Sequence, residues 1–303
     1  MAGTLKRVAR SVSPAPVRRA WGQLYGRVKI RRARKVFERN GVGNVPAFLS
    51  ADELSTLMNL GYQPPDVIRY DPGGLVERAD QKLKQITRAL DLTGVRTSLE
   101  LGCWDGMVAA ALATRGMTAV GLDMTSQGLD RRAREAGARF VQSDAEAIAL
   151  GSESIDLVYS FASFEHFPHP DRCMKEVHRV LRPGGHAYLH FGPLYFSPYG
   201  LHAYRQIPVP FCHLLFREED LHRWAAEHNL PHAWPFVNGW TLKQYRALWR
   251  SLELQFVVTD YRESTTGGVG VELVNRYPRC FKDHVDDFDE LLVAFVDLTL
   301  RKR

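Results

Sequence analysis

The sequence predicts an α/β fold, in which seven strands form a mostly parallel sheet with helices on both faces, preceded by a basic helical arm. Short apolar strands alternate with helices from about residue 76 onward, and a glycine turn follows the first strand. The composition, 45% hydrophobic and 24% charged, is that of a globular chain with a packed core. Strand–helix–strand connections of this kind cross over right-handed and favour parallel pairing.

The individual elements are placed by apolar periodicity and by glycine and proline breaks. Strands are expected at 97–101, 117–122, 138–142, 155–160, 186–191, 252–260 and 291–300. Helices are expected at 76–90, 107–115, 127–136, 171–181 and 241–249. Leu83, Ile86 and Leu90 share one face of the first helix, and Pro183-Gly184-Gly185 predicts a sharp turn before the fifth strand. Residues 271–290 fit neither pattern.

Residues 1–45 are interpreted as a basic arm ahead of a single domain at 46–303. The first 40 residues hold twelve Lys or Arg and one acid, for a net charge of +11, while the remainder carries −5. Apolar residues at helical spacing over 5–12 and 17–28 predict two short amphipathic helices. Such helices can lie peripherally on an anionic membrane surface. The alternative is an arm that packs on its own domain or on a partner.

The cysteines point to the expected compartment. Cys103, Cys173, Cys212 and Cys280 are far apart and form no C-x-x-C pair, which argues against a zinc knuckle or a redox pair. Nothing suggests a disulfide framework, so a reducing cytoplasm is expected, with the inner membrane face as a further location if the arm binds lipid. The sequence does not indicate an oligomeric state.

A glycine turn, Gly102-Cys103-Trp104-Asp105-Gly106, separates the first strand from the next helix. Glycines let the backbone approach a ligand closely, and a helix N-terminus presents free N–H groups. Two details disfavour a dinucleotide: the spacing is G-x-x-x-G rather than G-x-G-x-x-G, and Glu100 would repel a pyrophosphate. A ligand with a cationic amino group and a sulfonium would suit Glu100.

Acidic residues end the next two strands. Asp123 follows Gly102 by 21 residues, the position at which nucleotide-binding folds hold ribose hydroxyls. Asp144 and Ala145 end the third strand, where an adenine would be contacted. Taken singly, Asp123 is more typical of a helix N-cap than of a ribose ligand, and Asp144 is more typical of a turn. Their combined spacing favours a ligand site at the carboxyl ends of the strands.

Five segments together resemble the motifs of class I S-adenosylmethionine-dependent methyltransferases of the small-molecule type, in family order and at family spacing. They are SLELGCWDG (98–106), AVGLDM (119–124), FVQSDAE (140–146), SIDLVYS with FEHF (154–160 and 164–167) and VHRVLRPGG (177–185). The resemblance covers about residues 76–191 and implies a Rossmann-like fold. One such motif alone is weakly specific, whereas five in order are strongly so.

The resemblance implies an enzyme that binds S-adenosyl-L-methionine. Glu100 and Gly102 would face its methionine end, Asp123 its ribose and Asp144 its adenine amino group. The full cofactor site implied is Glu100, Gly102, Cys103, Trp104, Gly106, Asp123, Met124, Asp144, Ala145, Ser160 and Phe161. Trp104 departs from the pattern, since it stands where a second glycine is frequent. Its side chain either turns away from the cofactor or forms a wall of the pocket.

His166, which follows the fourth strand, is the expected catalytic base. Methyl transfer from a sulfonium mainly requires positioning and exclusion of water. A hydroxyl acceptor also profits from a base, and histidine suits that role near neutral pH. The alternative is structural, since many relatives use a Glu–His pair here to hydrogen-bond the loop. Quinone-precursor methyltransferases bind a metal through E-x-x-E-H, but the first position here is Ala162, so no metal is expected.

Residues 192–240 interrupt the helix–strand pattern and are rich in aromatic residues, proline and histidine, as expected of an acceptor pocket. Tyr195, His202 and His213 are the expected substrate-binding residues. The alternative is an aromatic lid whose histidines only form hydrogen bonds. No asparagine-proline-proline-tyrosine motif follows the fourth strand, and the body is acidic. Both observations disfavour amide, nucleobase and nucleic-acid acceptors.

The function expected from the sequence is therefore methyl transfer to a small molecule, on an oxygen of a sugar, glycan or lipid-linked intermediate. Two alternatives stay open. An RNA methyltransferase would use the basic arm to bind phosphates, with strongly salt-dependent affinity. A non-catalytic scaffold would bind the cofactor without turnover, and the unusual Trp104 is compatible with that reading.

Overall fold

The computed structural model describes residues 15–65, 69–231 and 233–303, with side chains from residue 26 onward. The first arm helix expected at 5–12 lies outside the described residues. A seven-stranded sheet forms the centre of the molecule, in the order β3-β2-β1-β4-β5-β7-β6. The strands are β1 (Thr97–Leu101), β2 (Thr118–Asp123), β3 (Arg139–Gln142), β4 (Ile155–Phe161), β5 (Leu181–Phe191), β6 (Phe256–Thr265) and β7 (Val293–Lys302).

Strands β1 to β5 pair in parallel, whereas β7 pairs antiparallel with both β5 and β6. The mostly parallel seven-stranded sheet predicted from the sequence is thereby confirmed. The chain order reverses between β1 and β4, so the turns after β1 and β4 meet at the same edge of the sheet. In open α/β sheets this switch point is where ligands bind.

Helices cover both faces of the sheet. They are α1 (Ala15–Arg39), α2 (Ala51–Met58), α3 (Pro72–Ala89), α4 (Met107–Ala113), α5 (Arg131–Glu135), α6 (Pro170–Val180), α7 (Cys212–Leu215), α8 (Glu218–Glu227), α9 (Leu242–Ser251), α10 (Val271–Arg276) and α11 (Pro278–Lys282). Two 3₁₀ turns, Phe164–His166 and Phe288–Leu291, complete the set. Among the described residues, no helix combines the length and apolar character needed to cross a bilayer.

Several boundaries differ from the sequence-based expectation. Helix α3 begins at Pro72 rather than 76, because the Asp71 carboxylate caps it by accepting the Gly74 N–H at 3.1 Å. Helix α5 is confined to Arg131–Glu135, with Asp130 as its N-cap. Strand β6 begins at Phe256 instead of 252. The Pro183-Gly184-Gly185 turn lies inside β5, where the register with β4 shifts, rather than ahead of it.

The two faces of the sheet carry separate apolar layers, because side chains alternate along each strand. Leu99 and Leu101 point into the layer covered by α6 and α9, which contains Phe164, Tyr245 and Trp249. The opposite layer lies under α3, α4 and α5. Glu100 belongs to this opposite side and is buried there. A carboxylate is thus placed in an otherwise apolar layer.

A third apolar cluster joins the insert to the arm. Ala33 and Phe37 of α1 are buried against residues of the insert and of α10 and α11. The Phe37 and Phe288 rings lie 5.5 Å apart, and Arg34 forms an ion pair with Asp289 at 2.5 Å. The C-terminal part of α1 is therefore packed on its own chain.

Candidate active site

The turn between β1 and α4 needs glycine at both ends. Gly102 and Gly106 have φ values of +69° and +72°, a left-handed conformation that other residues rarely adopt. A Cβ atom on Gly106 would lie 2.5 Å from the Phe140 ring. The Gly102 and Cys103 N–H groups donate to the Leu122 carbonyl at 2.9 and 3.0 Å. These bonds fix the turn to the end of β2.

Trp104 also has a left-handed backbone, with φ +46°, and its side chain is 53% exposed. The indole lies against Gly128, since a Cβ atom there would be 2.9 Å from the ring. The backbone N–H of Trp104 donates to Asp123 Oδ2 at 2.9 Å. The contribution of Trp104 to the turn is thus made by its backbone, while its ring packs on the loop after β2.

Asp123 lies at the carboxyl end of β2, beside this turn. Its second oxygen, Oδ1, accepts the Thr125 N–H at 3.2 Å. A carboxylate has about four acceptor positions, so two bonds leave capacity for the hydroxyls of a ribose. The next residue, Met124, is exposed.

Asp144 and Ala145 lie after β3. Asp144 is exposed and accepts the Glu146 N–H at 2.8 Å, while Ala145 is buried. Asp144 and Ala145 therefore lie at the edge of the sheet formed by the carboxyl ends of the parallel strands, as predicted from the sequence.

Glu100 is buried near Lys82, a residue that is not predicted from the sequence. The hydroxyl of Tyr159 donates to Glu100 Oε2 at 3.4 Å. Burial raises the pKa of Glu100 to about 8, and the positive charge of Lys82 opposes this rise. Burial also lowers the pKa of Lys82, against the opposing charge of Glu100. A cationic group from a ligand would stabilise the ionised form of Glu100.

Lys82 projects from the buried side of α3. It shares that side with Ala79, Leu83 and Ile86, and its Nζ lies 5.1 Å from the centre of the Phe161 ring. The sequence signal for Lys82 is a lysine at a helical position whose neighbours on the same face are apolar.

The turn after β4 contacts the glycine turn directly. The Ser160 hydroxyl donates to the Leu101 carbonyl at 3.0 Å, and the Ser163 hydroxyl donates to the Gly102 carbonyl at 3.1 Å. A Cβ atom on Gly102 would lie only 2.4 Å from Ser163 Oγ. Gly102 therefore permits the two turns to meet.

His166 ends the 3₁₀ turn that follows Ser163. Its Nδ1 lies 2.5 Å from the Phe236 carbonyl, which requires that this nitrogen carry the proton and donate. Its Nε2 then presents a lone pair and lies 3.8 Å from Glu165 Oε1. Burial lowers the pKa of His166. The imidazole is thereby held neutral at neutral pH, with one fixed tautomer.

The end of the insert supports this turn. The Asn238 N–H donates to the Glu165 carbonyl at 2.9 Å, and its side-chain amide donates to the Phe167 carbonyl at 3.0 Å. These two bonds hold the backbone on either side of His166, and the Phe236 carbonyl holds the His166 ring. Asn238 is not predicted from the sequence.

The expected substrate-binding residues fall into two groups. The His202 ring lies 4.9 Å from the His166 ring, between centres, and its Nε2 is 3.0 Å from the Pro193 carbonyl. His213 instead packs against Tyr195 at 4.8 Å and has its Nε2 2.5 Å from the Tyr195 carbonyl. Burial lowers the pKa of His213 to about 3. The structure thus brings His202 to His166 and places His213 and Tyr195 in the packing of the insert.

Residues 99–189, which contain both turns, match the family described as methyltransferase domain. These residues form a class I S-adenosylmethionine-dependent methyltransferase domain. The family expected from the sequence motifs is thus confirmed, and S-adenosylmethionine is the cofactor of that family.

Curated relatives match the methyltransferase domain over part of their length. A fatty-acid O-methyltransferase of Mycolicibacterium smegmatis is 36% identical over 143 residues, which are 45% of this chain and 52% of the relative. A phthiotriol/phenolphthiotriol dimycocerosates methyltransferase of Mycobacterium leprae is 34% identical over 146 residues, 46% of this chain and 53% of the relative. The chain spans about half the length of these relatives.

A solved structure is also similar to the chain. A putative S-adenosylmethionine-dependent methyltransferase from Listeria monocytogenes is 16% identical, with a TM-score of 0.48. The superposition covers 74% of this chain and 99% of the Listeria protein.

The expected cofactor residues lie at or just after the carboxyl ends of β1, β2, β3 and β4. Hydrogen bonds from Ser160 to the Leu101 carbonyl and from Ser163 to the Gly102 carbonyl join the ends of β4 and β1, whereas Met124 and Asp144 are exposed. The residues that the sequence missed are Lys82, Ser163, Asn238 and the carboxylate of Glu165. Each acts through a contact between elements distant in sequence, which no local motif records.

Proposed function

We propose that this chain transfers the methyl group of S-adenosylmethionine to a hydroxyl oxygen of a small, apolar molecule, either a lipid or a lipid-linked sugar. The observation that carries the proposal is the contact of the Gly102 turn with the Ser163 turn. It sets the cofactor motif beside the segment that ends in His166, so that a donor methyl group and a proton acceptor share one edge of the sheet.

The residues present fit the cofactor. Asp123 retains acceptor capacity for the ribose, and Glu100 supplies an acid for the amino end of the methionine moiety. The cofactor, when bound, supplies an electrophilic methyl group on a sulfonium. The chain's own task is to orient the acceptor in line with that methyl group and to exclude water.

His166 is suited to removing the acceptor proton. Its Nδ1–H is committed to the Phe236 carbonyl, so Nε2 is the nitrogen that takes the proton from the hydroxyl. The acceptor oxygen then forms the new bond to carbon, and the electron pair of the broken C–S bond stays on sulfur. The lowered pKa of His166 keeps the imidazole unprotonated and ready for this step.

The acceptor class is inferred from the insert and from the names of the relatives. The insert is rich in aromatic residues and has few charges, as small-molecule sites have, and its His202 lies beside His166. Two relatives are named for fatty-acid and for phthiotriol or phenolphthiotriol dimycocerosate methylation. Both names denote lipid acceptors, which supports an apolar acceptor here.

The first test is calorimetric titration of the full chain with S-adenosylhomocysteine, with NAD as the control ligand. Binding of S-adenosylhomocysteine alone is expected. Radiolabelled methyl transfer is then screened over fatty acids, hydroxylated lipids and lipid-linked sugars, with RNA as a comparison. Turnover on RNA and on none of the small molecules would replace this proposal by an RNA methyltransferase.

His166→Ala tests the base. Turnover is expected to fall by about 10²–10⁴-fold, the usual contribution of a general base, with S-adenosylhomocysteine affinity unchanged. His169→Ala is the matched control, since His169 lies three residues away and pairs with Glu146 at 2.9 Å. Near-normal turnover in His166→Ala would reject the base.

A further inference from the structure

We propose that Glu165, His166 and His202 bind one divalent transition-metal ion of the zinc type beside the cofactor turn. One ligand atom from each of these residues lies within 4.8 Å of the others. An ion at about 2.1 Å from each ligand in tetrahedral geometry would separate the ligand atoms by about 3.4 Å. The 3.8 Å between His166 Nε2 and Glu165 Oε1 is already close to that value.

The carboxylate of Glu165 is the first independent observation. The residue is 1% exposed, and no described donor forms a hydrogen bond of good geometry with either carboxylate oxygen, although the backbone N–H groups of Glu165 and Gly192 approach the carboxylate. Buried polar groups are nearly always bonded, and a buried carboxylate without a partner is strongly unfavourable. A cation at this place would supply the missing partner.

The hydrogen bonds of the two histidines are the second observation. His166 uses Nδ1 to reach the Phe236 carbonyl at 2.5 Å, and His202 uses Nε2 to reach the Pro193 carbonyl at 3.0 Å. In each ring one nitrogen therefore donates to a backbone carbonyl, which leaves the other as a lone-pair ligand. Metal-ligating histidines are typically oriented in this way.

The donor set indicates the kind of ion. Two imidazoles and one carboxylate suit zinc and its neighbours, whereas Mg²⁺ and Ca²⁺ prefer oxygen ligands throughout. Three protein ligands also leave a fourth position open, as catalytic zinc sites do. The incomplete E-x-x-E-H pattern, with Ala162 in the first position, is thus completed from a different element, because His202 comes from the insert.

The role of the ion in the reaction rests on the proposed methyl transfer, whereas its binding does not. The open position would take the acceptor hydroxyl, whose O–H bond then breaks with loss of the proton to solvent water. The oxygen electron pair forms the bond to the methyl carbon, and the C–S electron pair stays on sulfur. In the metal-loaded chain His166 acts as a ligand, and the ion replaces it in acidifying the hydroxyl.

The binding test uses the full chain after treatment with EDTA and dialysis. It is titrated with ZnCl₂ by calorimetry, and with CoCl₂ by visible absorption, because the d–d bands of Co²⁺ report its coordination number and geometry. One ion per chain is expected. Glu165→Gln and His202→Ala are each expected to weaken binding by at least about 10-fold, since even loss of a residue that only orients a ligand has an effect of this size.

His169→Ala is the matched control, because it removes a histidine that pairs with a carboxylate outside the cluster. It is expected to bind the ion as the unchanged chain does. Thermal melting and S-adenosylhomocysteine binding verify that each variant is folded, and His202→Gln replaces His202→Ala if the latter is not. Absence of binding by the unchanged chain, or equal affinity in all variants, would overturn the metal site.

The same titrations separate the metal site from the proposed function. Ion binding without methyl transfer on any acceptor would refute the function and retain the site. Methyl transfer at full rate in a chain that binds no ion would retain the function and refute the site. Methyl transfer that falls on chelation and returns with zinc or cobalt would support the methyl transfer and the metal site, with His166 acting as a ligand and not as the base.

Discussion

The cofactor half of the site, residues 97–161, and the acceptor half, residues 192–240, are held together in different ways. In the first, backbone groups and short side chains bond across neighbouring strands, as between Gly102 and Leu122. In the second, side chains bond to backbone carbonyls: His202 and His213 do so within the insert, and Asn238 bonds to the Phe167 carbonyl 71 residues away. The cofactor half is therefore specified by local sequence, and the acceptor half by the packing of the insert on the sheet.

The largest effect is expected when a glycine of the cofactor half is replaced by alanine. Gly106→Ala combines a left-handed backbone with a Cβ atom 2.5 Å from Phe140, so unfolding free energy should fall by about 2–4 kcal/mol. Gly137→Ala is the control, since Gly137 has φ +91° but open space around it. Urea denaturation measures both. Equal losses would show that backbone strain alone, and not the close fit of the turn, accounts for the effect.

A smaller effect is expected from Asp123→Ala, which tests whether the end of β2 binds the cofactor. Loss of charged hydrogen bonds of about 1.5–3 kcal/mol would weaken S-adenosylhomocysteine binding by roughly 10–100-fold. Asp91→Ala is the matched control, because Asp91 also accepts the N–H of the residue two positions on, at 2.9 Å, but at an exposed turn before β1. Unchanged affinity in Asp123→Ala would remove Asp123 from the site.

Asn238→Ala tests the acceptor half. It removes the amide that binds the Phe167 carbonyl and the Tyr245 hydroxyl, so stability should fall by about 1–3 kcal/mol. Methyl transfer should decrease while S-adenosylhomocysteine affinity stays the same. Asn40→Ala, which removes a bond to the Val36 carbonyl far from the site, should leave turnover unchanged. A fall in cofactor affinity instead would contradict the separation of the two halves.

A further effect concerns pH and the buried acid of the cofactor half. Because the folded pKa of Glu100 is raised to about 8, its contribution to stability is present at low pH and is lost as pH rises from the ordinary carboxyl range through 8. The groups that face it are Lys82, Tyr159 and Asp105. In Glu100→Gln, the decline of thermal stability between pH 6 and 8 should be shallower. An unchanged slope would contradict the raised pKa.

The sequence by itself determined the order of strands and helices, because apolar periodicity and glycine breaks are local properties. It also determined the cofactor motifs, since a strand that ends in Gly102 or Asp123 places that residue at the edge of a parallel sheet. Boundaries differed from the prediction where a side chain decided them, as the Asp71 cap did for α3.

Only the tertiary structure decided how the acceptor half is arranged. His202 contacts His166, and Asn238 bonds to Phe167, which precedes it by 71 residues; both side chains come from an insert whose sequence shows little periodicity. Likewise, Lys82 meets Glu100 only because α3 packs on the face of the sheet to which that acid points. Contacts of this kind depend on the packing of whole elements, and packing is a property that no short segment of the sequence contains.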